Sequence, residues 1–289
     1  MKANEYLNNT KEFLTVFKKL FKGREDVVLE YWKSEKTDNT GYSAICSNRW
    51  NDDVCPIQKG RRQDCKYCDY KEYTPLSDDL LNKHISRAYT KTYGVYPLLK
   101  DNTCWFIALD FDDHIDNDDK QHIKLDPLED VKQFYAVADM HEISTYVFGS
   151  KGGKGYHVYI FFEAAVPAWK ARLVIDSLLK EAQLLEDEDG KSSFCSMYPK
   201  QDELREDDSI GLGITYPYVG QAIEKGNTLM LDFDVGFTKP FEKQLEALKN
   251  INRVDEVALD NIISEFKLER QQSMLASRKV DIKNVNEQL

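Results

Sequence analysis

Along residues 5–21, Leu7, Phe13, Leu14, Phe17, Leu20 and Phe21 recur at three- and four-residue spacing, which predicts an amphipathic helix stopped at Gly23. The stretch 41–75 has no period and is rich in Cys, Asn, Asp and Gly; it reads as an irregular region that packing alone does not hold. Ser77 is placed to cap a short helix to about Ile85. Continuous apolar runs then predict strands over 94–99 and 104–110, with the turn residues Asp101-Asn102 between them. A helix follows over 128–140, then strands over 145–148 and 157–162 around a glycine-rich loop. Pro167 opens a helix to about Leu185. Strands over 194–198 and 227–234, helices over 240–250 and 255–277, and a frayed tail of ten residues complete the pattern.

Strand pair, helix, strand pair, helix and further strands predict an α+β fold with helices packed on a sheet. The expected division is an N-terminal helix and cysteine-bearing region at 1–85, a catalytic core at 86–250 and a helical tail at 251–289. Composition adds little to this picture. No apolar run of about 18 residues predicts a membrane span, and the N-terminus carries no signal-peptide block, so a cytoplasmic protein without membrane partners is expected. Net charge is −11, which excludes a generally basic, DNA-coating surface but leaves room for a local basic groove. Carboxylates concentrate at Asp110–Asp119 and Glu186–Asp189; the second run reads as solvated loop.

The first run carries chemistry. Asp110 and Asp112 end an apolar strand, and residues i and i+2 of a strand share a face. Two carboxylates at one spot repel unless a hard divalent cation, Mg²⁺ or Mn²⁺, lies between them. Two such ions can activate a 3′ hydroxyl and steady a leaving pyrophosphate. Alone, an Asp-x-Asp is more often a solvated strand end. Downstream, Ser150-Lys151-Gly152-Gly153-Lys154-Gly155-Tyr156-His157 joins two predicted strands. Its glycines let backbone N–H groups turn toward an anion, Lys151 and Lys154 add charge, and His157 can donate to a phosphate. It is not a P-loop, because the Gly-Lys-Ser/Thr order is missing and a strand follows. Alone, it reads as a hairpin tip; the nearby carboxylate pair makes coincidence the poorer explanation.

Six cysteines are present, and Cys46, Cys55, Cys65 and Cys68 fall in a Cys-x8-Cys-x9-Cys-x2-Cys pattern. That spacing predicts a closed structural Zn²⁺ site bracing a segment poor in apolar residues. Cys104 and Cys195 sit in apolar strands and read as core. Lys59, Arg61, Arg62 and Lys66 alternate with Tyr67 and Tyr70, a pattern shared by nucleic-acid surfaces and by solvated basic loops.

These motifs, with Leu20–Val27, Gly94–Leu99, Tyr198-Pro199-Lys200-Gln201-Asp202 and Gly226–Asp232, occur in an order that resembles the archaeo-eukaryotic primase superfamily over about residues 13–250. Within it the chain resembles the primase-polymerases of TOTE conflict systems and their CRISPR-associated relatives. Tyr159 stands where that family usually has tryptophan. The resemblance implies an RRM-like catalytic core and template-directed DNA primase/polymerase activity, including primer synthesis from two nucleotides. It implies that Asp110, Asp112 and Asp232 hold two Mg²⁺ or Mn²⁺ ions, and that Ser150, Lys151, Gly153, Lys154, Gly155 and His157 hold the triphosphate. Lys200 and Gln201 fall where the family contacts nucleotide or template. Implied partners are nucleoside triphosphates, single-stranded DNA template and primer, and CRISPR or other defence-system proteins. The rival reading is a catalytically inactive, zinc-containing nucleic-acid-binding module.

Overall fold

The computed structural model describes residues 10–34, 37, 39–57, 65, 68–113, 125–185, 192–205 and 209–270. Within these residues the fold is α+β, built on two antiparallel four-stranded sheets. Lys59, Arg61, Arg62, Lys66, Tyr67, the Glu186–Asp189 run, most of the Asp110–Asp119 run and the tail lie outside the described residues.

The larger sheet comes from the predicted strand pairs. Strand β4 (Thr103–Phe111) is followed by helix α3 (Pro127–Met140), strands β5 (Tyr146–Gly149) and β6 (Tyr156–Pro167), helix α4 (Ala168–Glu181) and strand β7 (Phe194–Tyr198). Their order across the sheet is β5-β6-β4-β7, so this βαββαβ unit is a split βαβ. Alternation along β4 sorts its side chains. Ile107, Leu109 and Phe111 enter a core with Val131 and Phe134 of α3 and Val174 and Leu178 of α4. Phe106 and Ala108 enter a second core with Phe13 and Phe17 of helix α1 (Thr10–Leu20). With both faces covered, the sheet is apolar along most of its length, and polar residues on it mark the end that opens to water.

The smaller sheet was only partly legible. It has the order β2-β1-β3-β8, from β1 (Leu29–Lys33), β2 (Thr40–Ala44), β3 (Tyr93–Val95) and β8 (Ile214–Thr215). β2 falls where no period exists, and its Gly41 lies so close beneath the Trp32 ring that an added Cβ would stand 2.6 Å from it. The sheet draws strands from both sides of the boundary expected at residue 85. Helix α5 (Glu256–Glu265) buries Leu259 and Ile262 in the same core as α3 and α4, so residues beyond 250 also share that core.

Conversely, 227–234 is not a continuous strand. Met230 bridges Phe148, Leu231 bridges Pro240, and then Asp232 accepts from the Asp234 N–H at 2.9 Å. That contact caps a 3-10 turn over Phe233–Val235 and ends the ladder.

Helix α2 (Asp78–Ile85) is capped by Ser77, whose Oγ accepts from the Leu80 N–H at 3.3 Å. Its buried His84 ties it to the smaller sheet. His84 Nδ1 accepts from the Tyr93 N–H at 3.0 Å, which leaves Nε2 to donate to the Pro217 carbonyl at 2.9 Å. Burial pushes this imidazole down from its ordinary 6.5 to about 4. The unfolded chain therefore binds a proton below pH 6.5 that the folded protein refuses until about pH 4. Stability from this group is complete above pH 6.5 and falls as pH drops through that window, by about 3 kcal/mol in all. Denaturant unfolding compared at about pH 7 and pH 5 should show the loss, with the His84 ring still neutral by NMR at the lower pH; a ring that titrates near 6.5 in the folded protein would contradict it.

Candidate active site

Along one face of β4 the residues run Phe106, Ala108, Asp110, and just past the strand Asp112: two fully buried, then two carboxylates at the sheet's open end. Both carboxylates line a cavity of about 840 Å³ between the two sheets, with Ser150, Lys151, Lys154 and His157 on the same lining. Residues 38 to 47 positions apart in sequence meet because Asp110 pairs directly with His157 across β4 and β6. His157 Nε2 stands 3.4 Å from Asp110 Oδ1. On the other flank Ser196 of β7 pairs with Asp110, and Asp112 is anchored through its N–H to the Ser193 carbonyl at 2.9 Å.

The loop between β5 and β6 is closed on itself. Ser150 N–H donates to the Gly155 carbonyl at 2.8 Å, Gly153 N–H to the Ser150 carbonyl at 3.1 Å, and Gly155 N–H to Ser150 Oγ at 3.1 Å. Gly153 has φ +74°, open to glycine at little cost, and packs on Asn227, whose Nδ2 donates to the Lys151 carbonyl at 3.2 Å. Gly155 does not face the cavity; it lies behind it, against the Phe111 carbonyl and the Asp112 carboxylate. Lys151 crosses to the smaller sheet, donating to Thr92 Oγ1 at 3.1 Å and lying 3.9 Å over the Tyr31 ring. Burial lowers its pKa, so an anion entering here meets a partly desolvated ammonium, where charge attraction is stronger than in water.

The opposite wall was not foreseen. Tyr42 of β2 and Thr215 of β8 face the acidic pair, and Tyr198 of β7 closes the floor. Tyr198 had a signal, since it heads the Tyr-Pro-Lys-Gln-Asp motif; Tyr42 and Thr215 lie on short strands with none. Under Asp112, the half-buried Cys195 thiol donates to the Asp112 carbonyl at 3.6 Å, and burial pushes it up to about 11.

Gly153 and Gly155 are not on the cavity lining, and three further expected site residues lie elsewhere. Asp232 does not line the cavity: β5 and β6 separate its segment from β4. Met230 is level with the row Phe148, His157, Asp110, and the chain then runs toward Tyr146, away from the open end. Lys200 and Gln201 line a neighbouring cavity of about 860 Å³, together with Cys46, Cys55, Cys65 and Cys68.

The donor chemistry can be tested for metal. Asp110 and Asp112 offer hard oxygens to one cavity, a set suited to Mg²⁺ or Mn²⁺ completed by phosphate oxygens and water. None of the four cysteines forms a disulfide among the described residues, and Cys65 is raised by burial and by its three neighbouring thiols, against the pull of Arg49. Cys46 Sγ accepts from the Glu72 N–H at 3.4 Å. Among the described residues, however, no three His, Cys, Asp or Glu side chains converge as a metal shell. The expectations of an Asp110-Asp112-Asp232 shell and of a closed four-thiolate shell are therefore not displayed in the geometry.

The family model for the TOTE conflict system, Archaeo-Eukaryotic Primase domain, matches residues 12–262. No curated protein matches the chain.

Proposed function

The chain belongs to the archaeo-eukaryotic primase domain family of TOTE conflict systems, a membership that implies nucleotidyl transfer, and from that premise we propose that it is a template-directed DNA primase-polymerase. The observation that carries the reading is the single cavity shared by Asp110, Asp112, Ser150, Lys151, Lys154 and His157. An inactive binding module has no use for two carboxylates held among anion-binding groups.

In this reading Asp110 and Asp112 hold divalent metal, which when bound promotes 3′-hydroxyl attack and offsets charge on the departing pyrophosphate. The loop of Ser150 to Gly155, held closed by its own hydrogen bonds, presents the Lys151 and Lys154 charges to the triphosphate. His157 donates to a phosphate oxygen from Nε2 and is held beside Asp110 by strand pairing. Thr215 and Tyr42 lie where a nucleoside would rest on the wall facing the acids. Asp232 is left outside the catalytic set, where its carboxylate caps the Phe233–Val235 turn.

The test is extension of a primed single-stranded template by labelled deoxynucleoside triphosphates with Mn²⁺. Lengthened primer, abolished by chelator, is expected; template binding without extension under any metal would favour the inactive module. Among the described residues no helix is long and apolar enough to cross a membrane. Cytoplasmic location, a primer-initiating role and recruitment by CRISPR or other defence proteins belong to the same proposal.

The cysteines are proposed to hold one Zn²⁺, a reading supported by their shared cavity and by the Cys46 contact with the Glu72 N–H. Cys65→Ser should then lower metal content from about one zinc per chain toward zero and lower the melting temperature. Metal analysis of the purified protein, with thiol titration, checks it; four freely titrating thiols in a folded, zinc-free protein would overturn it.

A further inference from the structure

Asp110 and Asp112 are aimed at one cavity by different means. Asp110 lies inside β4, paired with His157 of β6 on one side and Ser196 of β7 on the other, so the ladder fixes its direction. β4 ends at Phe111. Asp112 lies one residue beyond, and residues i and i+2 share a face only while the backbone stays extended. Its peptide is held instead by β7. The Asp112 N–H donates to the Ser193 carbonyl at 2.9 Å. A bulge brings that carbonyl into reach: Asp110 opposes Ser196 but Phe111 opposes Phe194, which leaves Cys195 as an extra residue. The Cys195 thiol turns to the same peptide and donates to the Asp112 carbonyl.

Ser193 is in turn held from helix α3. It is buried, and one oxygen of the Asp130 carboxylate, Oδ2, accepts both its N–H at 2.7 Å and its Oγ–H at 2.6 Å. An ionised acceptor makes such bonds short and roughly twice as strong as neutral ones. Asp130 has a firm support. One helical turn on, Phe134 is fully buried, with its ring 6.4 Å from that of Phe111, the last residue of β4. Neither Asp130 nor Ser193 lines the catalytic cavity, so neither is placed to touch what binds there.

We propose that Asp130 and Ser193 are positioning residues for Asp112. The Asp130 carboxylate fixes Ser193, the Ser193 carbonyl fixes the Asp112 peptide, and the direction of the Asp112 side chain follows. The affinity of the site for divalent metal then depends on a carboxylate outside it, on the helix that covers the sheet. The role rests on the reading of Asp110 and Asp112 as metal ligands; the brace rests on the hydrogen bonds themselves. A ligand must be held within about half an ångström of its working place, and loss of a group that orients one typically costs about 10–100-fold in metal affinity.

The experiment titrates the whole chain with Mn²⁺ in the presence of a non-hydrolysable deoxynucleoside triphosphate and reads free Mn²⁺ by electron paramagnetic resonance. Amide exchange of the metal-free chain is followed by NMR alongside. Asp130→Ala should weaken Mn²⁺ binding by about 10–100-fold. It should also speed exchange of the Asp112 amide on the order of tenfold more than that of Leu109, which lies inside the ladder. Asp130→Asn keeps an oxygen that can accept from Ser193 and should fall between Asp130→Ala and the wild type. Glu129→Ala removes an exposed carboxylate from the same turn of α3 and should bind Mn²⁺ within about twofold of the wild type. If Asp130→Ala does not fold, Ser193→Ala decides: it loses only the Oγ–H donation and should weaken Mn²⁺ binding several-fold. Mn²⁺ affinity within about twofold of the wild type in the folded Asp130 and Ser193 variants, even with a lowered melting temperature, would overturn the positioning role. So would a loss in Glu129→Ala equal to that in Asp130→Ala. Failure of the metal reading looks different, because Asp112→Asn would then bind Mn²⁺ as well as the wild type does, and the proposal would fall with it.

Discussion

Asp110→Asn and Asp112→Asn are each expected to cut nucleotide incorporation by on the order of a thousandfold or more, while Asp232→Asn keeps it within about twofold. Asparagine preserves size and one acceptor oxygen but removes the charge that a divalent cation needs. Asp110 and Asp112 face the cavity that also holds Lys151 and His157, so their loss is felt where phosphate charge must be balanced. Neither carboxylate supports the core, which ends one step earlier on that face of β4 with Ala108, and melting temperatures should change little. Asp232 lies across β5 and β6 from the pair, and asparagine can still accept the Asp234 N–H that it caps. Incorporation measured at low and at saturating Mn²⁺ separates a weakened ligand, which mass action partly rescues, from a residue outside the shell. A loss at Asp232 equal to that at Asp112 would contradict its place outside the catalytic set.

Gly155→Ala is expected to lower incorporation by roughly a hundredfold and to cost about 1–3 kcal/mol of stability. A Cβ at Gly155 would stand 2.4 Å from the Phe111 carbonyl oxygen and 3.1 Å from the Asp112 carboxylate. Backbone oxygen cannot swing aside as a side chain can, so either the loop lifts from β4 or the end of β4 shifts, and both move Asp112 relative to the anion loop. Gly152→Ala provides the contrast, because nothing lies within 4 Å of its added Cβ and its φ is not positive. Melting temperature should distinguish them clearly: lowered by several degrees for Gly155→Ala, unchanged for Gly152→Ala. Equal tolerance of both would show that the loop does not press on the acidic strand end.

Strong periodicity made the larger sheet and its helices readable. Phe13, Phe17 and Leu20 on α1, the apolar run before Asp110 and the run after His157 all pack where their spacing put them. Pairing of Asp110 with His157 was not written in either strand alone, but a carboxylate pair and an anion loop at strand ends predicted that they could meet. What escaped was short or one-sided. β2 has a glycine, two hydroxyl residues and an exposed tyrosine among five positions, too little apolar content for a period, so Tyr42 was invisible as a wall of the site. β8 has two residues. The alternation over Leu229–Asp234 resembled a strand because a side-chain contact, Asp232 with the Asp234 N–H, ends it after two bridged residues. Lys200 and Gln201 follow β7 directly, yet the chain leaves the sheet at Pro199 and carries them into the neighbouring cavity.

Template-dictated nucleotide choice probes the enzyme most directly. Unprimed homopolymer templates of each base, offered all four labelled triphosphates with Mn²⁺, should yield products containing only the complementary nucleotide, with one pyrophosphate released for each phosphodiester bond formed. Both should vanish in Asp112→Asn. Products whose composition ignores the template, or no product from a folded, metal-supplied chain that still binds triphosphate, would contradict a primase-polymerase built on the Asp110-Asp112 pair.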